Sequence, residues 1–172
     1  MVDAHDSKSC IVRCESSSLS SGTIMKKHLT SKEFKSIYSK VPRICVEVLI
    51  QTPKGVLLSL RTLPSWNNMW HLPGGSVLYK ETLEQAVNRV SLNEIGVKAN
   101  IIELLGYIEY PSEEKERGFG WSIGIVLLCK TKTTKFKPNK DASEIEFFSK
   151  LPERMVVEQK KFLKKYLLNT SK

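Results

Sequence analysis

Trp70-His-Leu-Pro-Gly-Gly-Ser-Val-Leu-Tyr-Lys-Glu-Thr-Leu-Glu-Gln-Ala-Val-Asn-Arg-Val-Ser-Leu-Asn-Glu-Ile-Gly-Val97 is the stretch on which the reading of this chain turns. Pro73-Gly74-Gly75 lets the backbone bend sharply and come close to a ligand. Thr82, with Gln85 three residues on, makes a capping box that starts a helix. Leu83 to Ile95 has helical spacing, and Gly96 supplies the C-cap that ends it. Residues 90, 93 and 94 lie three and four apart, so they project from one helical face, with Arg89 beside it.

Outward from that segment the pattern alternates between helix and strand. Upstream, Thr30 or Ser31 caps a short helix over about 30–39, with Phe34, Ile37 and Tyr38 on one side. Arg43 to Gln51 alternates as a strand, with Ile44, Val46, Val48 and Ile50 on one face and Cys45, Glu47 and Leu49 on the other. Pro53-Lys54-Gly55 signals a turn, and Val56 to Leu60 returns as a second strand. Leu63 to Pro73 reads as a loop. Downstream, Ile101 to Tyr110 and Trp121 to Thr131 read as long strands joined by a charged loop over Pro111 to Gly118. Glu144 to Phe148 is a short strand. Pro152 to Leu168 reads as a closing helix with Pro152 in its first turn. Elements in this order predict a layered α/β protein with a mixed sheet.

The chain has 172 residues and is 41% hydrophobic, enough for one domain with a sizeable core. Residues 1–24, with the serine-rich run from Cys14 to Gly22, read as a tail with little to bury; residues 25–172 read as a single domain. No apolar run is long enough to span a membrane, and the N-terminus lacks a signal-peptide pattern, so a cytoplasmic protein is expected. The net charge is +9, and Lys130 to Lys172 carries 12 basic against 5 acidic residues. Such a surface attracts anions, but no aromatic residues interleave with the lysines as on a stacking platform, so nucleic acid is not the expected partner. Cys10, Cys14, Cys45 and Cys129 form no paired CxxC knuckles, which argues against structural zinc; Cys45 and Cys129 fit as small core residues.

The central segment resembles the Nudix box, G-x5-E-x7-R-E-U-x-E-E-x-G-U with U aliphatic. Gly75, Glu81, Arg89, Glu94, Gly96 and Val97 stand where the box requires them. The resemblance implies a Nudix-type α/β/α sandwich with a mixed sheet and a loop-helix catalytic motif. Three box positions depart: Val90, Ser91 and Asn93 replace a glutamate, an aliphatic residue and a second glutamate, so Glu94 alone keeps a carboxylate on that face. One magnesium ion fits such a set, since it takes its other ligands from water and phosphate. The same losses are similar to those of the GDP-mannose mannosyl hydrolase branch. Leu29-Thr-Ser-Lys-Glu-Phe34, Val41-Pro42, Glu47, Arg61-Thr62 and Trp70 extend that likeness, which covers about residues 28–167.

What the resemblance implies is a magnesium-dependent hydrolase of a nucleotide sugar, with manganese as an alternative metal, in which water displaces the nucleoside diphosphate at the sugar carbon. The Gly74 carbonyl and Glu94 would hold the metal. Arg61 would contact the diphosphate, and Arg89 would do the same or orient the metal-site carboxylate. Glu47, in the middle of an apolar run, would sit among the substrate-binding residues, buried beside an arginine, or else would face water from an edge strand. Ser76 stands on the substrate side where the branch has an arginine. The late-loop histidine of the branch falls near Asp141, so Asp141 or Glu144 would serve as base or metal ligand. Glu113, Glu114 and Glu116 read as a solvated run, with a base among them as the alternative. His71 either touches ligand or packs; Trp66 or Trp70 either stacks on a base or joins the core. The resemblance also implies a homodimer. Two other readings stand beside it: a pyrophosphatase of ADP-ribose or a nucleoside triphosphate, and a catalytically weak module that binds nucleotide or RNA.

Overall fold

A computed structural model describes residues 29–138 and 142–170. The expected tail and Asp141 lie outside the described residues. The elements run α1 (Ser31–Tyr38), β1 (Arg43–Leu49), β2 (Gln51–Thr52), β3 (Gly55–Arg61), β4 (Trp70–His71), β5 (Gly74–Ser76), α2 (Leu83–Ile95), β6 (Ala99–Glu109), α3 (Glu113–Arg117), β7 (Ser122–Thr131), β8 (Ala142–Phe148) and α4 (Val157–Thr170). No helix among them is long and apolar enough to cross a membrane.

One sheet has the order β5-β1-β7-β6. β1 runs parallel to β7, from Arg43 opposite Ser122 to Leu49 opposite Leu128, and antiparallel to β5. The second sheet is built on β3, which pairs with β8 along one edge and with β2 and β4 along the other. The sheet is mixed, as the element order predicts.

Alternation places an apolar layer on each side. Val46, Val48, Leu57 and Leu127 pack with Ala86, Val87, Val90 and Ile95 of α2. Leu49, Leu58, Val126 and Leu72 pack with Met155, Val156 and Leu163 at and before α4. Helices on both faces of the strands complete an α/β/α sandwich. β1 is buried on both faces because it lies inside its sheet, so Glu47 is not on an edge strand.

The capping box reads out as expected: Gln85 N donates to Thr82 Oγ1 at 3.3 Å, and Thr82 N donates to Gln85 Oε1 at 3.1 Å. Gly96 ends α2 in the left-handed region at φ 75°. Three expectations are corrected. Trp70–His71 is a strand, not loop, because its backbone pairs with Leu60 and Ser59. The last helix starts at Val157 rather than Pro152. Trp70 N donates to the Arg154 carbonyl at 2.9 Å and Val156 N to the Trp70 carbonyl at 3.1 Å, which holds this stretch extended. The loop after β6 contains α3, and Glu113 there is 2% exposed, not solvated.

Candidate active site

Side chains 43, 45 and 47 of β1 share one face, and that face lines a cavity of about 240 Å³. Glu47, Gly74 and Glu94 line it together with Arg43, Arg61, Arg117 and Trp66, and Arg43 and Arg61 are close enough to act on the Glu47 carboxyl. Arg43 and Glu47 are four strand positions apart, roughly 13 Å at about 3.3 Å per residue.

Glu47 fits because its neighbours have no side chains. A Cβ at Gly74, the register partner of Glu47, would run into its carboxylate and lie 3.0 Å from the Val46 carbonyl oxygen. A Cβ at Gly124 on β7 would come within 2.8 Å of Glu47 Cγ. The expected arginine partner is not what satisfies this carboxyl. Tyr110 Oη donates to Oε1 at 2.8 Å and Gln159 Nε2 to Oε2 at 3.0 Å. Burial pushes the Glu47 carboxyl up to about 8, and nearby Glu94 adds to the rise against the Tyr110 hydrogen bond. The Gly74 N–H donates to Glu94 Oε2 at 3.3 Å, so the predicted metal pair Gly74 and Glu94 does come together.

The rest of that helical face cannot help hold an ion. Val90 is 2% exposed in the core, Ser91 is buried, and Asn93 is exposed. Among the described residues no three His, Cys, Asp or Glu side chains form a metal cluster. One carboxylate and one main-chain carbonyl fit a single hard divalent cation that completes its shell with water and phosphate. They do not fit a cluster of two or three ions.

Arg89, expected to contact the diphosphate or orient the metal-site carboxylate, is bonded instead to Glu81 and the glycine loop. Its Nε and Nη2 donate to the two oxygens of Glu81, each at 2.8 Å, and Nη2 also donates to the Ser76 carbonyl at 2.7 Å. It does not line the cavity. Glu81 in turn accepts from Leu78 N at 2.9 Å. Box residues Glu81 and Arg89 therefore clamp the turn between β5 and α2.

Arg61 Nε donates to the Ser65 carbonyl at 2.7 Å, which bends the β3–β4 loop back on itself. Arg61 and Arg117 lie 5.9 and 5.8 Å from the Trp66 ring centroid. Trp66 thus serves two arginines. Trp70 packs edge-on against Phe148 and joins the core. His71 is buried at the cavity wall; its Nδ1 bonds to the Leu72 carbonyl at 2.7 Å and its Nε2 to Ser59 Oγ at 3.2 Å. Burial, reinforced by Arg61, lowers His71 to about 4, so it is neutral at pH 7. Ser76 Oγ accepts from Arg43 Nη1 at 3.2 Å. Glu144 is exposed on β8 and lines no part of the cavity. Cys45 lines the wall, and burial raises its thiol to about 11.

Sequence reading missed Arg43, Arg117, Tyr110 and Gln159, and named Glu113 only as one of three loop glutamates that could supply a base. Glu113 and Arg117 carried a local signal, the i, i+4 pairing of opposite charges. Arg43, Tyr110 and Gln159 carried none, since their hydrogen-bond partners are 33 or more residues away in the chain.

A strand-loop-helix with a clamped glycine turn, a lone helix carboxylate beside it and facing arginines defines a hydrolase of the Nudix class. The NUDIX domain model matches residues 41–166, and the chain belongs to that family. It is 30% identical over 128 residues to an ADP-ribose pyrophosphatase of Methanocaldococcus jannaschii, covering 73% of each protein. It is 37% identical over 78 residues to the low-salt glycan biosynthesis protein Agl8 of Haloferax volcanii; that match takes in 45% of this chain and 50% of the relative. In fold it is similar to the MutT protein of Methanosarcina mazei Go1, with a TM-score of 0.66 at 23% identity over 76% of this chain and 97% of that one.

Proposed function

We propose that the cavity binds and hydrolyses a nucleoside diphosphate derivative, most simply a nucleotide sugar of the GDP-mannose type, with one magnesium ion. The observation that carries this is the make-up of the cavity: carboxylates beside Gly74 and three guanidiniums line the same space. A diphosphate satisfies the guanidiniums directly and the carboxylates through a metal ion held between them. Glu94 and the Gly74 carbonyl would hold magnesium, or manganese, which would supply positive charge to the phosphate oxygens. Arg61 would contact the diphosphate, and charge-assisted hydrogen bonds of this kind strengthen as negative charge grows on the departing group. Arg89 would act through the turn it clamps. Ser76 would face the substrate with Arg43 held at its hydroxyl.

The single carboxylate on the helix face favours attack at the sugar carbon, because chemistry at phosphorus in relatives with the full box draws on more carboxylates than Glu94. The relative in Methanocaldococcus jannaschii favours a second reading, cleavage between the phosphates of ADP-ribose. Product analysis separates them. The full chain is incubated with magnesium and GDP-mannose, ADP-ribose or UDP-glucose, and products are resolved by ion exchange, with Glu94→Gln as control. The expected products are free sugar and nucleoside diphosphate, absent with the variant. Monophosphates would select the second reading, and no product from any of the three substrates would sink both.

A further inference from the structure

Glu113 is a buried carboxylate serving two guanidiniums. Arg43 Nη2 bonds to it, and Arg117 Nε lies 3.2 Å from the same oxygen, Oε1. The side chains of Arg43 and Arg117 are only 12% and 23% exposed. One carboxylate cannot neutralise both. Ser122 Oγ is already saturated: it accepts from Arg43 Nε at 3.1 Å and Nη2 at 2.8 Å, and donates to Glu113 Oε2. The Arg117 Nε–H points off the line to Glu113, so this buried donor has no hydrogen-bond acceptor. Buried donors of this kind are rare and imply a missing partner. Burial and the adjacent Arg43 also lower Arg117 from the usual arginine range, a strain that an anion would relieve.

The surplus charge faces the cavity. Both arginines line it. Arg43 Nη1 reaches Ser76 Oγ, two strand positions beyond Gly74, roughly 7 Å at about 3.3 Å per residue. Trp66, whose main-chain N–H donates to Glu116 of α3 at 3.3 Å, supports Arg117 from the other side.

We propose that Arg43 and Arg117, tied together by Glu113, form an anion subsite that takes the phosphate farther from Glu94. The proposal rests on the diphosphate reading above and assigns the group that leaves with that phosphate to the α3 side of the cavity. Arg43 and Arg117 would touch the anion; Glu113 is a positioning residue.

The test is calorimetric titration of the full chain with inorganic pyrophosphate in EDTA, where the metal site is silent. Wild type binds it one to one. Arg117→Gln weakens binding by about tenfold or more, the loss of one charge-assisted contact. The double variant Arg43→Gln/Glu113→Gln does the same; it removes both members of the most buried pair and leaves Arg117, 23% exposed, as the cation that lost its carboxylate. Lys164→Gln, on the exposed side of α4, removes one positive charge and leaves binding as in wild type. With magnesium and a turned-over nucleotide, Arg117→Gln lowers kcat more than it raises KM, because charge on the departing phosphate grows in the transition state. Metal-free binding that is absent in wild type, unchanged in Arg117→Gln, or weakened equally by Lys164→Gln overturns the subsite. None of these touches the diphosphate reading, which stands or falls on wild-type turnover of the nucleotide panel.

Discussion

Glu47 occupies a slot that Gly74 and Gly124 leave open, and its burial makes the protonated form the stable one near neutrality. Its folded pKa of about 8 lies above the ordinary 4.5. The stability this group permits is therefore complete below pH 4.5 and is withdrawn as pH rises towards 8, by on the order of 4 kcal/mol. His71 works in the opposite sense. Its folded pKa of about 4 lies below the ordinary 6.5, so stability is complete above 6.5 and is lost as pH falls towards 4, by on the order of 3 kcal/mol. The two slopes offset each other in wild type and separate only in variants. Urea denaturation in EDTA at pH 5 and pH 8 reads them. Glu47→Gln gains on wild type as pH rises, and His71→Gln gains on wild type as pH falls. A constant offset at both pH values would show that the residue does not titrate as its burial requires.

At the scale of elements, α2 and its preceding turn work as one piece. Arg89 grips both oxygens of Glu81, whose side chain is 2% exposed, and the Ser76 carbonyl as well. Arg89→Gln leaves that buried carboxylate without its cation and is expected to destabilise by about 3 kcal/mol. Glu81→Gln in the same chain restores part of this, so a double-mutant cycle by chemical denaturation reads the pair directly. Two residues further along α2, Ser91 Oγ is buried with no hydrogen-bond partner. Ser91→Ala removes an unpaired hydroxyl and is expected to stabilise by about 1 kcal/mol, seen as a higher urea midpoint with an unchanged slope. This element was the most legible part of the sequence because its determinants are local: a cap three residues from its partner, a terminal glycine, a face set by spacing. The same locality explains what was not legible. β4 exists because Trp70–His71 pairs with Ser59 and Leu60, and α4 starts late because Arg154 to Val156 is held extended against Trp70. Glu113 reads as one of three loop glutamates until Arg43, 70 residues earlier, is placed beside it. Glu94, Gly74 and Arg61 could be named from the box and its flanks, whereas the α3 arginine could not, since its i, i+4 pairing with Glu113 does not say which charged side chain turns inward.

At the scale of the whole molecule, a buried amide ties the last helix to the centre of the fold. Gln159 of α4 is 4% exposed and reaches three other parts of the fold. Its Oε1 accepts from Leu72 N at 2.8 Å, and its Nε2 donates to Glu47 Oε2 and to Tyr110 Oη at 3.0 and 2.9 Å. The last helix therefore holds the strand that carries the cavity floor, the segment leading to Gly74, and the residue just past the end of β6. Gln159→Leu keeps the volume but leaves a buried N–H and two buried oxygens each short of a partner. Removing a partner from buried polar groups costs about 1–3 kcal/mol each when water cannot reach them. A total near 3 kcal/mol, allowing for relaxation, lowers the melting temperature by roughly 6–12 °C for a chain of this size. If Gln159 acts through Glu47, the loss in Glu47→Gln/Gln159→Leu falls short of the sum of the single losses by 1 kcal/mol or more. Simple additivity in that cycle would mean that α4 supports the fold without reaching the cavity floor, and the tie between the end of the chain and the site would have to be abandoned.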